Sequence, residues 1–262
     1  MRIALVGVGK MGEAVLSGLA RSGTHELVVV NRRTERDDEL VDRYGVTAAP
    51  LAQAVEGSDV IVVAVKPKDI TAMLDEFSPA LGGETVVVSL AAGISLASMR
   101  QHLPQGTAVA RVMPNTPALV GRGMSAISVA EGVTDGQLER VREVMAACGE
   151  VVVVPESQQD AVTAVSGSGP AYVFAVAEAM IEAGVQLGLP RDVASTLANQ
   201  TILGAGAMLV ESGTHPSLLR ENVTSPGGTT AQALKVLDQH AVRAAFAEAM
   251  QASHDRSAEL GR

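Results

Sequence analysis

The stretch that most constrains this chain is its beginning. Residues 2–12 read RIALVGVGKMG: an apolar run, Ile3 to Val8, passes into Gly7, Gly9 and Gly12 at GxGxxG spacing, and a helical pattern follows to about Arg21. Strand, glycine turn and helix in that order make the opening of a dinucleotide-binding βαβ unit. The first two glycines allow a tight turn and close approach of a pyrophosphate to backbone N–H groups, and the third lets helix and strand pack closely. Lys10 and Met11, inside the same turn, are counted with the cofactor-facing residues. A glycine turn without a ligand is the competing reading, and the order of the elements tells against it.

The second strand, Glu26 to Val30, ends at Asn31, where an NAD-specific fold carries an Asp or Glu for the ribose hydroxyls. Arg32 and Arg33 follow. A guanidinium can bind a 2′-phosphate bidentately where a carboxylate would repel it, so NADPH is expected over NADH, with NADH still possible. The two arginines also fit the start of a solvated loop.

Further strands are expected near Val46–Ala48, Val60–Val65, Thr85–Ser89, Ala108–Met113 and Val151–Val154. Helical stretches such as Ala72–Phe77 and Gln137–Ala147 separate them, and a β-like run at Met124–Val129 lies between. Continuous Val/Ile/Leu strands in β-α order predict an α/β fold with a mainly parallel, Rossmann-type doubly wound sheet. After Ser166–Pro170 (SGSGP) the pattern becomes all helical, with Ala171–Leu189 and Asp192–Glu211 long and Ala-rich. The expected division is 1–165 for the nucleotide domain and 166–262 for a helical domain. Open α/β sheets hold ligands beyond the carboxyl ends of their strands. Residues there are Ala64, Val65, Lys66 and Pro67, then Ala91 and Gly93, then Met113, Pro114 and Asn115. Small side chains leave room for a flat nicotinamide, Lys66 can approach phosphate or ribose, and Asn115 can orient an amide.

Composition narrows the alternatives. A net charge of −9 and no basic stripe argue against nucleic-acid binding. A single cysteine, Cys148, excludes an intrachain disulfide and fits a reducing compartment. No metal-ligand cluster is apparent. The first strand leaves no space for a signal peptide and no uninterrupted apolar run reaches membrane-spanning length, so a cytoplasmic protein without a membrane segment is expected.

Two features of the helical part remain. VTSPGGTT, Val223 to Thr230, sets Gly227 and Gly228 among the hydroxyls of Thr224, Ser225, Thr229 and Thr230, directly ahead of a helix at Ala231–Asp238. Free N–H groups and the positive end of the helix dipole favour a carboxylate or phosphate there, although a turn that simply caps a helix uses the same residues. Val173, Val176, Ala177, Met180, Ile181, Gly184 and Val185 form an apolar stripe at helical spacing. A small helical domain has little to cover it with, which points to a symmetric partner.

GVGKMG at 7–12, AVKP at 64–67, SLAAG at 89–93, RVMPNTP at 111–117, SGSGPAY at 166–172 and HPSLLRENVTSPGGTTAQALKVLD at 215–238 together resemble the pyrroline-5-carboxylate reductase family, in order through nearly the whole chain. The resemblance implies NAD(P)H-dependent reduction of 1-pyrroline-5-carboxylate to L-proline and a homodimer formed through the long C-terminal helices, with higher assembly open. It further implies a substrate lying between the nicotinamide and the partner's VTSPGGTT loop. Ser225, Gly227, Gly228, Thr229 and Thr230 then contact substrate, with Thr230 at the imine nitrogen and the amides of 227–229 on the carboxylate. The absence of lysine between Lys68 and Lys235 disfavours the related hydroxyacid dehydrogenases. His215 is either a proton relay or a turn residue before Pro216.

Overall fold

The computed structural model describes residues 1–261. Eight strands form one sheet: β1 Arg2–Val6, β2 Glu26–Val30, β3 Thr47–Ala48, β4 Val60–Val63, β5 Val86–Ser89, β6 Ala108–Met113, β7 Gly123–Val129 and β8 Gly149–Val153. Their order is β3-β2-β1-β4-β5-β6-β7-β8. All neighbours run parallel except β6 and β7, which pair antiparallel. The connections run outward from β1 to β3 and then return to β4 on the other side of β1. That reversal opens a crevice at the carboxyl ends of β1 and β4.

The helices are α1 Lys10–Ser22, α2 Thr34–Tyr44, α3 Leu51–Val55, α4 Ile70–Phe77, α5 Leu96–Arg100, α6 Asp135–Ala146, α7 Gln159–Val162, α8 Gly169–Gln186, α9 Arg191–Glu211, α10 Pro216–Asn222, α11 Thr229–Gln239 and α12 Val242–Leu260. Alternate strand residues feed two cores, one on each face of the sheet. Ile3, Leu5, Val60, Val62 and Val88 pack with Val15 and Leu16 of α1 and Val141 and Met145 of α6. Ala4, Val6, Ile61, Val63 and Val87 pack with Ile70, Leu74 and Phe77 of α4 and Met99 of α5. This two-sided burial is why the strands read as unbroken apolar runs.

Two strands stop earlier than their composition suggests. β1 ends at Val6 because Gly7 turns at φ 79°. β4 ends at Val63, and Val65 instead faces Gly7 across the crevice.

The chain divides into two compact units, one of Met1–Ser168 with the residues from Ala252 on, the other of Gly169–Gln251. The sequence division gave the whole of 166–262 to the helical part. The C-terminal residues instead pack on the first unit. Ser257 Oγ donates to Asp160 Oδ1 at 2.7 Å, and the Ser168 and Ser253 hydroxyls lie 2.9 Å apart.

Within the second unit, α8 and α9 form a hairpin in which Gly184 lies against Ala194: a Cβ on Gly184 would stand 3.1 Å from that methyl. Tyr172 and Phe246 meet edge to face at 6.3 Å. No residue of α8 is buried, and Val173, Val176 and Met180 are all exposed. Where the sequence shows no uninterrupted apolar run of membrane length, two continuous helical spans, Glu156–Gln186 and Arg191–Glu211, are long and apolar enough to cross a membrane by length and composition alone. Glu178 and Glu182 interrupt the first as an apolar run.

Candidate functional site

The crevice at the reversal point is a cleft of about 860 Å³ lined by the ends of β1 and β2, the glycine turn ahead of α1, the start of α2, residues 48–51, the loop after β4 and one side of α4. Its floor is the glycine turn. Gly7 donates to Val30 O at 2.8 Å, and with φ 79° it also leaves no room for a side chain, since a Cβ would stand 2.3 Å from Val65 Cγ1. Gly12 lets α1 approach Ala64, whose methyl would be 3.1 Å from an added Cβ. Gly9 differs: its φ is an ordinary −81°, and a Cβ there would meet nothing within 4 Å. It is therefore the position whose side chain would project into open cleft. Gly9 is also the N-cap of α1 and offers no side-chain cap, and the helix's first internal bond runs from Glu13 N to Gly9 O at 2.8 Å. The amides of Lys10, Met11 and Gly12 are left for an anion, so the turn fits a pyrophosphate.

The cleft brings together Gly7, Gly9, Asn31, Arg32, Arg33, Val65 and Lys66 of the expected cofactor set. Arg32 is an available cation there, as are Arg33 and Lys66. The Arg32 side chain is 74% exposed and its one ion pair, with Asp69, is long at 3.4 Å, a contact weak enough to yield to an anionic ligand. Lys10, Met11, Gly12, Ala64 and Pro67 adjoin the turn or the end of β4 without lining the cleft. Ala91, Gly93, Met113, Pro114 and Asn115 lie at the ends of β5 and β6, also outside it.

Two of these residues have other work. Asn115 uses both ends of its amide internally: Oδ1 accepts from Met124 N at 2.8 Å and Nδ2 donates to Ser166 O at 3.0 Å. The second bond satisfies a carbonyl in the π-helical turn Thr163–Gly167, so Asn115 holds that turn with one of its two amide N–H donors. Gly93, expected to leave room for a ring, leaves it for the chain itself, since a Cβ would stand 2.8 Å from the carbonyl oxygen of Leu260.

Sequence reasoning missed the polar wall contributed by α2. Arg36 reaches Val8 O at 3.4 Å and binds Glu13 and Glu39, and Asp37 is 9% exposed with its carboxylate on Asn31. In sequence, TERDDELVDRY reads as a solvated helix face. Burial by itself pushes the Glu13 carboxyl up. Hydrogen bonds from Arg36 and Tyr44 and the charges of Arg36 and Arg43 outweigh burial, and the group is held below the usual carboxylate range. Stability from a depressed carboxyl is complete above its unfolded value of about 4.3 and is lost as pH falls through the lower folded value. Glu13→Gln is therefore expected to lower Tm at pH 7 by roughly 3–8 °C. In thermal melts from pH 7 to 3, that gap should close below about pH 4; a gap independent of pH would show that charge is not its source.

In the second unit, α11 starts from a turn of the same kind. Its N-cap is Gly228, in extended conformation and with no side-chain cap, preceded by Gly227 at φ 68°. The amide of Gly228 is turned inward onto Ser225 O at 3.0 Å, and the first internal bond of the helix is Gln232 N to Gly228 O at 3.2 Å. Of the amides at 227–229 that the resemblance implied, that of Gly228 is thus engaged, while those of Thr229, Thr230 and Ala231 precede the first internal bond of the helix and are left for an anion. The Thr230 hydroxyl makes no hydrogen bond among the described residues. Ser225 stands behind Gly228, where a Cβ would come 3.2 Å from its carbonyl oxygen. His215 caps α10, its Nδ1 accepting from Ser217 N at 3.2 Å.

Comparison with known proteins bears on both units. The family model described as "Pyrroline-5-carboxylate reductase dimerisation" matches residues 156–260, and "NADP oxidoreductase coenzyme F420-dependent" matches residues 2–93. A pyrroline-5-carboxylate reductase of Corynebacterium melassecola is 48% identical over 266 residues, covering 99% of this chain and 98% of the relative. The chain belongs to the pyrroline-5-carboxylate reductase family. Among solved members of that family, the Coxiella burnetii reductase superposes with a TM-score of 0.96 at 36% identity, covering 100% of this chain and 98% of that one. The Plasmodium falciparum reductase, solved with NADP bound, gives 0.87 at 28% identity, again over 100% of this chain and 98% of that one. The eight-stranded, mostly parallel sheet and the helical C-terminal part are thus the architecture of pyrroline-5-carboxylate reductases as a family.

Proposed function

We propose that the protein reduces 1-pyrroline-5-carboxylate to L-proline, the last step of proline biosynthesis, as a cytoplasmic homodimer that prefers NADPH to NADH. The observation that carries this reading is a pair of matched helix starts. Gly9 on α1 and Gly228 on α11 are both extended and both lack a side-chain cap, and a glycine at positive φ stands shortly before each, Gly7 across Val8 and Gly227 directly adjacent. One suits a pyrophosphate and the other a carboxylate. When bound, the reduced nicotinamide supplies a hydride to the imine carbon, and the ring nitrogen keeps or takes one proton, giving a secondary amine. The chain's contribution is positional. The amides of Thr229 to Ala231 hold the carboxylate and the Thr230 hydroxyl hydrogen-bonds the ring nitrogen. A protonated imine is already electrophilic, so no strong general acid is needed. The test is a fall in NADPH absorbance on adding the pyrroline carboxylate, with L-proline formed in equal amount; no absorbance change would end the proposal.

Arg32 is proposed to meet the 2′-phosphate, with Asn31 and Arg33 beside it. Charge-assisted hydrogen bonds contribute about 1.5–3 kcal/mol, so Arg32→Ala is expected to weaken NADPH binding by roughly one to two powers of ten and to spare NADH. Fluorescence titration with each cofactor checks this, and equal losses for both would remove Arg32 from the role.

The exposed stripe of α8 is proposed to lie in the dimer interface, with the substrate loop completing the site of the partner. Met180, 41% exposed in the single chain, would be covered there. Met180→Asp should give a folded monomer by sedimentation with turnover close to zero, and a fully active monomer would contradict the shared site.

A further inference from the structure

We infer that Asp37 is a positioning and specificity-determining residue, which forces a neutral amide at position 31 and so keeps the end of β2 open to a 2′-phosphorylated cofactor. The inference rests on the NADPH reading above and adds a residue to it. Asn31 stands between a donor and an acceptor. Its Oδ1 accepts from Val8 N at 2.7 Å, and its Nδ2 donates to Asp37 Oδ1 at 2.7 Å. The Asn31 backbone N–H reaches the other carboxylate oxygen, Oδ2, at 3.4 Å. A backbone N–H can only donate and an ionised carboxylate can only accept, so the chemistry of the two partners fixes which way the amide faces. Val8, the residue between Gly7 and Gly9, is held at its carbonyl as well, by Arg36 Nε at 3.4 Å. The clamp thereby ties the end of β2 and the start of α2 to the glycine turn itself.

Asp37 decides what position 31 can be. It is 9% exposed and lies in the wall of the cleft. A carboxylate in place of the half-buried Asn31 would face the buried Asp37 carboxylate at the distance now bridged by an N–H donor, and two like charges that close disfavour each other's ionised form. The acid that would hold the ribose hydroxyls of an unphosphorylated cofactor is therefore disfavoured by Asp37, whatever the arginines nearby do. Exchanging the two residues reverses this. With Asp at 31 and Asn at 37, the new carboxylate accepts from Val8 N and from the new amide, net charge is unchanged, and the negative charge moves to the ribose position.

The experiment is this exchange, read by Tm and by cofactor affinity measured by titration without substrate. Asn31→Asp alone is expected to lower Tm by roughly 5–10 °C. Asn31→Asp with Asp37→Asn is expected to recover most of that loss and to shift the NADPH-to-NADH affinity ratio toward NADH by on the order of 100-fold. A double variant that does not recover Tm, or that recovers it with the affinity ratio unchanged, would overturn the inference. A wild-type protein that binds neither cofactor would instead overturn the nucleotide reading on which it stands.

Discussion

Replacing Gly9 by Val is expected to abolish measurable cofactor binding while leaving the fold intact. The backbone at Gly9 has φ −81°, which any residue adopts, and an added Cβ meets no protein atom within 4 Å. The substitution therefore carries little strain and places two methyl groups where the pyrophosphate must approach the helix amides. Affinity should fall by at least about 100-fold, the equivalent of roughly 2.7 kcal/mol, with Tm within a few degrees of wild type. Gly7→Val, two residues earlier, should behave in the opposite way. At φ 79°, with Val65 Cγ1 2.3 Å from the new Cβ, it must break the turn before any ligand arrives, and Tm should drop sharply. Calorimetry of both variants with and without NADPH separates the cases. Wild-type affinity in a folded Gly9→Val protein would mean that the pyrophosphate does not cross this turn.

Thr230→Val should lower kcat by roughly 10- to 100-fold and leave KM for the pyrroline carboxylate little changed. The variant keeps the shape of the side chain and removes the hydroxyl proposed to meet the ring nitrogen, a contact of about 1.5–3 kcal/mol if it strengthens as the nitrogen becomes an amine. Gly228→Val is expected to differ in kind. Its Cβ points to Ser225, 3.2 Å from that carbonyl oxygen and 3.4 Å from its Cβ, so the turn has to give slightly and the amides of Thr229 to Ala231 are expected to lose their alignment. KM should rise by an order of magnitude or more, with NADPH affinity unaffected. Steady-state kinetics in both substrates, beside direct cofactor binding, distinguishes the two. Near-normal kinetics in both variants would reduce VTSPGGTT to a helix cap.

What could be read from the sequence was whatever a few neighbouring residues determine among themselves. The turn at Gly7 to Gly12 needs only its own spacing to announce a positive φ and a close helix, and VTSPGGTT announces an uncapped helix start in the same way. Strand direction is a different matter. Met124 to Val129 has the composition of its neighbours, and only its pairing partner makes it antiparallel to β6. The partners of Asn115 and Gly93 are hidden in the sequence for a related reason, because they come from far along the chain, Ser166 in one case and Leu260 in the other. Asp37 was invisible because an acid in the first turns of a polar helix is ordinary. Its burial against Asn31 depends on where β2 ends relative to α2.

The return of the last residues to the first unit has a consequence for how such a chain can be rearranged. Topologically, Gly169–Gln251 is an insertion: the polypeptide leaves the first unit at Ser168 and rejoins it at Ala252. A truncation after Ser168 would strip Asp160 of the Ser257 hydroxyl and Gly93 of the Leu260 backbone that covers it, so the nucleotide-binding half is not a detachable N-terminal module. Grafting it onto another catalytic partner requires two joints, one at each crossing, and a circular permutant that opens the chain inside the helical insertion keeps intact what a simple N-terminal fragment loses.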